Sequence, residues 1–189
     1  LSPNRTTDPL RDRELLLGVS GSIAAYKAAE LASLLMKRGA RLTVLMTRGA
    51  SEFIGPLTLA TLSRRPVVTT LFDPDSADVE HIEMTERADA MLVAPATANT
   101  LAKLTTGLAD CPVTTAALAL KPSTPLIVAP AMNTRMWEHP ATRENLRKLK
   151  SRGVLIVPPA EGLLACGTVG IGKLAALEDI LAALEKTLA

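Results

Sequence analysis

The chain has 189 residues, 48% hydrophobic and 21% charged, with a formal net charge of +2, the size and balance of one globular domain. So small a charge gives no pull toward a polyanion, and aromatics at 2% leave few platforms for stacking bases, so nucleic acid is not an expected partner. No apolar run approaches a membrane span, no signal peptide opens the chain, and two cysteines give neither a disulfide framework nor a metal-ligand spacing; the expected setting is a reducing cytoplasm.

Residues 1–13 mix Pro, Asn, Thr, Asp and Arg without periodicity. They read as a tail, or an arm onto a neighbouring subunit, ahead of a single domain over 14–189. The chain opens on Leu1 rather than Met, which leaves room for trimming or a further domain at either end. Glu14 to Val19 reads as a first strand, apolar throughout as in a sheet covered on both faces. Ser20-Gly21-Ser22 is a tight turn. A helix is predicted over Ile23 to Arg38, with Ala24, Ala28, Leu31 and Leu35 at helical spacing and Gly39 as its stop. Arg41 to Met46 is a second strand ending at Thr47, and Pro56 to Ser63 a helix. Asp73 to Asp78 is an acidic loop, followed by His81-Ile82-Glu83-Met84.

Ala90 to Ala94 reads as the third strand, with Pro95-Ala96-Thr97-Ala98-Asn99 as its exit turn. Helices are predicted over Thr100 to Thr106 and Pro112 to Leu120, separated by Gly107. Pro125 to Ala129 is a fourth strand. It leads into Pro130-Ala131-Met132-Asn133-Thr134-Arg135-Met136-Trp137 and then a helix over Pro140 to Lys150. Val154 to Val157 is a fifth strand, Leu163 to Lys173 a glycine-rich loop, and Leu177 to Leu188 a closing amphipathic helix. Strands alternating with helices predict an α/β fold with a parallel sheet and helices on both faces. The strand exits then gather on one edge, where open α/β sheets bind ligands.

That edge carries the candidate chemistry. Gly18-x-x-Gly21-Ser22 lacks the dinucleotide fingerprint and the lysine of a Walker loop. It is either a generic anion site at a helix N-terminus or a plain strand-to-helix turn. With Pro95 to Ala98 as a second small-residue exit, the pair suits a mononucleotide such as FMN better than a dinucleotide. Asn133, just past a strand end, is either a ligand group or a turn residue bonded to its own backbone. Cys166 is either inert packing or a thiol on a glycine-hinged flap. His81 and His139 carry no signal of their own, and Cys111 reads as structural.

Five ordered blocks add to this. They are Gly21-Ser22-Ile23-Ala24-Ala25-Tyr26-Lys27, His81-Ile82, Pro95 to Asn99, the octet at 130–137, and Ala165-Cys166-Gly167-x-x-Gly170-x-Gly172. Spanning about Leu15 to Leu188, they resemble the flavin-dependent cysteine decarboxylases of the phosphopantothenoylcysteine type. The resemblance implies a flavodoxin-like (Rossmann-type) three-layer fold, FMN bound at a trimer interface, and a cytoplasmic homo-oligomer acting in coenzyme A biosynthesis. It implies that Gly21, Ser22, Ile23, Thr47, Phe53, Pro95, Ala96, Thr97 and Ala98 hold FMN. His81 and Cys166 would be catalytic, Cys166 as proton donor. Asn133, with Met132, Ala165, Gly167 and Lys173, would bind the substrate, and no metal is implied. Lys173 stands where many relatives carry arginine, and Cys111 where an acidic or amide residue is common. The ligase fused to many relatives is missing, so a separate phosphopantothenate-cysteine ligase is an expected partner. Two rivals share the fold: a peptidyl-cysteine oxidative decarboxylase, which ends at the enethiol, and a non-catalytic FMN-binding regulatory subunit. A flavin prenyltransferase has a related fold but should lack the octet and the Ala-Cys-Gly segment.

Overall fold

Two apolar runs, Glu14–Val19 (β1) and Arg41–Met46 (β2), lie side by side in parallel, Glu14 opposite Arg41 and Val19 opposite Met46. The structure is a computed structural model describing residues 8–71, 80–165 and 167–189, with the side chains at 80 and 81 left undescribed. Ala90–Ala96 (β3), Leu126–Pro130 (β4) and Leu155–Ile156 (β5) complete a five-stranded parallel sheet among the described residues, in the order β2-β1-β3-β4-β5. This is the flavodoxin-like α/β fold expected. Alternate residues feed two cores, as the two-residue period of a strand requires. Leu15, Leu17, Val44, Leu92 and Ile127 face one side. There they meet Lys27–Lys37 (α1) and the closing helix Leu177–Leu188. Leu16, Met91, Val93 and Val128 face the other, with Val113, Leu146 and Trp137.

The edge strand β2 is covered by a short parallel pairing with Val68, whose N–H and C=O bond Val44 and Met46 at 2.9 Å each. That removes an open template for pairing with another chain. The closing helix Leu177–Leu188 (α9), the helix Pro56–Ser63 (α3) and the first two strands have the ends predicted. No helix among the described residues is long and apolar enough to cross a membrane.

Several expectations need correction. The helix predicted from Ile23 starts as a 3-10 turn, Ile23–Tyr26, before α1 begins. Helices Arg48–Ser51 (α2) and Thr134–Glu138 (α7) were not predicted, being too short for a helical repeat to register. The helix Glu80–Arg87 (α4) has no counterpart among the predicted elements; it is mostly polar, with Met84 its main anchor. Pro95 and Ala96 are buried members of β3 rather than an exit turn. A proline is tolerated there because the ladder to β4 shifts register between Val93 and Ala96, so its missing N–H interrupts no regular pairing. The fifth strand shrinks to two residues as Pro158 approaches.

The largest correction concerns the glycine-rich loop. Ala160–Leu163 (β6) and Val169–Lys173 (β7) form an antiparallel hairpin separate from the main sheet. Glycine disfavours strands, so composition hides this ladder. At the other end, residues 8–13 of the expected tail are docked: Leu10 is fully buried and Asp8 pairs with Arg38. The first seven residues and the acidic loop at 73–78 lie outside the described residues.

Candidate functional site

Parallel strands end on one edge, and on that edge four polar side chains do the same job. Ser22, Thr47, Thr97 and Asn133 follow β1, β2, β3 and β4, and each caps the helical turn that comes next. Their oxygens accept from the N–H groups of Ala24 (3.2 Å), Ala50 (3.2 Å), Thr100 (3.2 Å) and Arg135 (2.9 Å). Such side chains satisfy donors a helix start leaves unpaired. The bland reading of Asn133 is therefore correct as far as it goes: it is a turn residue. Its carbonyl end is committed to the cap, so its donor end is the end suited to an acceptor such as a carboxylate.

Main-chain bonds tie neighbouring exits together. Thr47 N–H donates to Val19 O (3.0 Å), Ser20 N–H to Pro95 O (3.3 Å), Ala131 N–H to Ala96 O (3.1 Å), and Met132 N–H to Gly172 O (2.9 Å). The buried Ser20 hydroxyl reinforces the second tie, donating to Pro95 O at 2.7 Å and accepting from Thr97 N at 3.0 Å. The last tie docks the hairpin on the octet. Thr134 Oγ1 donates to Ile171 O at 2.8 Å beside it. A side chain at Gly172, whose φ is +143°, would collide with the Met132 carbonyl oxygen, and one at Gly170 would come within 2.5 Å of Thr134 Oγ1. Gly172 is needed because two backbones meet there, and Gly170 because the Thr134 side chain lies against it.

The docked hairpin closes a cleft of about 400 Å³. Ser22, Ile23 and Tyr26 form one wall, Met132 and Asn133 the base, and Leu163, Leu164, Ala165 and Lys173 the other wall. Six expected site residues thus come together: Ser22, Ile23, Met132, Asn133, Ala165 and Lys173. The Lys173 stem packs along Gly162, a Cβ on which would stand 3.5 Å from its Cδ. Lys173 is the cleft's one cationic lining residue among those described.

Gly21, Thr47, Phe53, Pro95, Ala96, Thr97, Ala98 and Gly167 do not line this cleft. Gly21 lies against the backbone of Gly49, and Thr47 and Phe53 follow β2, at the opposite end of the strand order from the hairpin. Thr97 is half-buried and also bonds the Thr100 hydroxyl at 3.0 Å. Gly167 has a φ of +82° between the hairpin strands. His81 belongs to the first turn of α4, but its side chain, like all of Cys166, lies outside the described residues. Cys111 precedes the helix Pro112–Ala119, its Sγ 3.2 Å from Thr114 Oγ1, a local contact away from the cleft.

Tyr26, Leu163 and Leu164 were missed. Ile23 and Tyr26 are three residues apart in a 3-10 turn, so their side chains stack on one face, and both are 59% exposed. A large apolar pair beside a glycine-serine turn was the available signal.

Comparison with known proteins bears on this arrangement. The sequence matches the flavoprotein family, described as "Flavoprotein", over residues 3–189. It is 49% identical over 177 residues to a probable phosphopantothenoylcysteine decarboxylase of Streptococcus mutans, covering 93% of this chain and 99% of that one. It is 45% identical to the coenzyme A biosynthesis bifunctional protein CoaBC of Bacillus subtilis, where the match covers 94% of this chain but only 43% of the relative. Among solved structures, a cysteine-to-serine mutant of PPC decarboxylase complexed with pantothenoylaminoethenethiol superposes with a TM-score of 0.84 at 32% identity, covering 93% of this chain and 98% of the other. The FMN-dependent cysteine decarboxylase SpaF follows with a TM-score of 0.82 at 30% identity, covering 95% and 97%.

Proposed function

The chain belongs to the flavoprotein family, among its phosphopantothenoylcysteine decarboxylases, and from that premise we propose that it converts 4′-phosphopantothenoylcysteine to 4′-phosphopantetheine with FMN, in coenzyme A biosynthesis. The observation that carries this reading is the cleft. It gathers an amide donor, a cation, an apolar wall and the hairpin in which Ala165 and Gly167 flank Cys166.

The rim suits a flavin mononucleotide. At the start of the helix Ala98–Thr106 (α5), Thr97 takes the N–H groups of Thr100 and Leu101, so those of Ala98 and Asn99 are the ones suited to a phosphate. Ile23 and Phe53, 59% and 49% exposed, supply apolar surface for a flat ring. In our reading Gly21, Ser22, Thr47 and Pro95 to Ala98 complete that cradle, and a neighbouring subunit of a homotrimer covers the exposed Tyr26 and Met136. When bound, FMN would supply a reversible hydride acceptor for the CH₂ beside the substrate sulfur, so that the reaction has no net redox change.

The chain's own residues have distinct tasks. Asn133 orients the substrate carboxylate. A neutral amide suits this better than a guanidinium, which would stabilise the ground-state charge that decarboxylation must disperse. Lys173 and Met132 hold the remainder of the substrate. The apolar walls exclude water, and His81 accepts the thiol proton as the sulfur becomes doubly bonded to carbon. The carboxylate is then β to C=S, so its bonding electrons pass to sulfur as CO₂ departs, leaving an enethiolate. Cys166 supplies the proton that saturates the carbon skeleton. The enethiol held by the cysteine-to-serine mutant of PPC decarboxylase supports that role. The bifunctional relatives are more than twice as long as the part matched here.

The test is to mix flavin-loaded protein with phosphopantothenoylcysteine and weigh the product. Wild type should give phosphopantetheine. Cys166→Ser should still lose CO₂ but release a product two hydrogens lighter. A wild type that itself stops at the lighter product would move the protein to the peptidyl-cysteine type of chemistry.

A further inference from the structure

A second concavity, of about 420 Å³, shares no lining residue with the cleft. Trp137, Leu146 and Ile156 contribute its apolar floor, and Arg143, Arg147 and Lys150 its rim. The three cations fall on one face of the helix Pro140–Ser151 (α8), at positions separated by four and then three residues. Like charges so spaced repel, yet among the described residues no carboxylate lies at ion-pair distance from any of them; the nearby Glu144 is held by Lys148 at 2.8 Å and acts on Arg147 only through space. The Arg143 guanidinium stands over the Trp137 ring, 4.8 Å from its centroid. Trp137 is 4% exposed, and its indole Nε1 is buried with no hydrogen-bond partner among the described residues.

Three cations gathered on one rim, with no carboxylate at ion-pair distance from any of them among the described residues, ask for an anion. The charged side chains of the pocket are all donors: two guanidinium forks and one ammonium. A group with several acceptor oxygens and negative charge complements that set, and the planar forks favour phosphate. The apolar floor and the volume leave space for an organic stem behind the anion. We propose that this pocket is a phosphomonoester site, with the phosphate on the cationic rim and the stem on the floor formed by Trp137, Leu146 and Ile156.

Trp137 is the chain's only tryptophan, so its emission reports on the pocket directly. Flavin-loaded protein would be titrated with n-butyl phosphate and with inorganic phosphate at constant ionic strength. The expected result is a saturable change in emission that Arg147→Ala/Lys150→Ala weakens at least tenfold, while flavin absorbance and far-ultraviolet circular dichroism stay unchanged. An equal response to chloride, or an unaltered response in the double variant, would overturn the proposal. A second arm identifies the source of the phosphate and alone depends on the proposed activity. It compares turnover of phosphopantothenoylcysteine with that of its dephosphorylated form. If the double variant loses the preference for the phosphorylated substrate, the occupant is the substrate's own phosphate. If the preference survives while n-butyl phosphate binding is lost, the occupant is a separate phosphoester. A wild type without turnover would sink the functional reading and leave the emission titration to decide the site.

Discussion

The two edges of the one sheet are built from different materials. At the edge where strands begin, charge does the fastening. Arg38 holds Asp8 through two bonds of 2.8 and 2.9 Å and also pairs with Glu185, joining the start of the chain to its final helix. Arg65 holds Glu14 at 2.8 Å, and Arg13 bonds both Asp89 (3.2 Å) and the Leu188 carbonyl (3.1 Å). At the edge where strands end, the fastening is main-chain to main-chain, with hydroxyl and amide caps, and large apolar side chains stay exposed. The first edge spends its polar groups on stability. The second places a cation, an amide and exposed apolar surface around one cleft.

Four substitutions test that division, three on the binding edge and one on the other. Asn133→Asp should have the largest effect. Asp caps helices as well as Asn, so α7 should form. The added charge would face the substrate carboxylate in a partly dry cleft, where repulsion of roughly 2–4 kcal/mol is expected, about a 30- to 1,000-fold loss of kcat/KM. Flavin absorbance should be unchanged; normal turnover would remove Asn133 from the site. Gly172→Ala comes next. Its methyl group would push the hairpin off Met132, and a misplacement of about 1 Å costs on the order of 10²-fold in rate. Far-ultraviolet circular dichroism should be preserved, and wild-type kinetics would show that the docked hairpin does not matter.

Thr134→Val is milder. It removes the hydroxyl bond to Ile171, typically worth about 1 kcal/mol, or roughly fivefold in kcat/KM. Thr134→Ser should restore activity, since it keeps the hydroxyl; a serine variant as impaired as the valine one would assign the effect to packing. Asp8→Asn breaks the opposite edge and should leave kcat/KM unaltered. It should lower stability at pH 7 by about 1 kcal/mol, read as a shift in melting temperature of a few degrees. Hydrogen bonding from Arg38 holds the Asp8 carboxyl below the ordinary range, as Arg65 does for Glu14. A carboxylate depressed in the folded state contributes stability that is fully present above its unfolded value near pH 4 and is lost as pH falls through the lower folded value. The variant's acid unfolding should therefore be less steep below about pH 4 than wild type's. An altered kcat/KM would mean that the two edges are coupled.

The same contrast explains what could be read in advance. Glu14–Val19, Arg41–Met46, Pro56–Ser63 and Leu177–Leu188 were legible to the residue, because the first three meet a turn or helix-start residue at Ser20-Gly21, Thr47 or Pro56 and the last has a clear helical period. Asn133, Met132, Ala165 and Lys173 were legible as one site only through the order of their motifs, since no local period joins residues 40 positions apart. The short helices α2 and α7 and the hairpin were opaque. Their stability comes from caps and from contact with a neighbouring backbone, and neither leaves a hydrophobic period. Glycines 170 and 172 look like flexibility in the sequence and act as close-contact surfaces in the fold.

The ties across the strand exits run through Val19, Pro95, Ala96 and Gly172 carbonyls and the N–H groups of Thr47, Ser20, Ala131 and Met132. Those atoms are the same whatever side chains the residues carry, glycine and proline constraints aside. The rim is thus a mount whose fittings can be exchanged. A lineage could trade Tyr26, Leu163 or Lys173 for other residues and meet a different acyl or peptide arm without rebuilding the frame that holds the reacting end. Drift in substrate preference should therefore accumulate on the walls of the cleft, while Gly170 and Gly172, where a Cβ has no room, stay glycine.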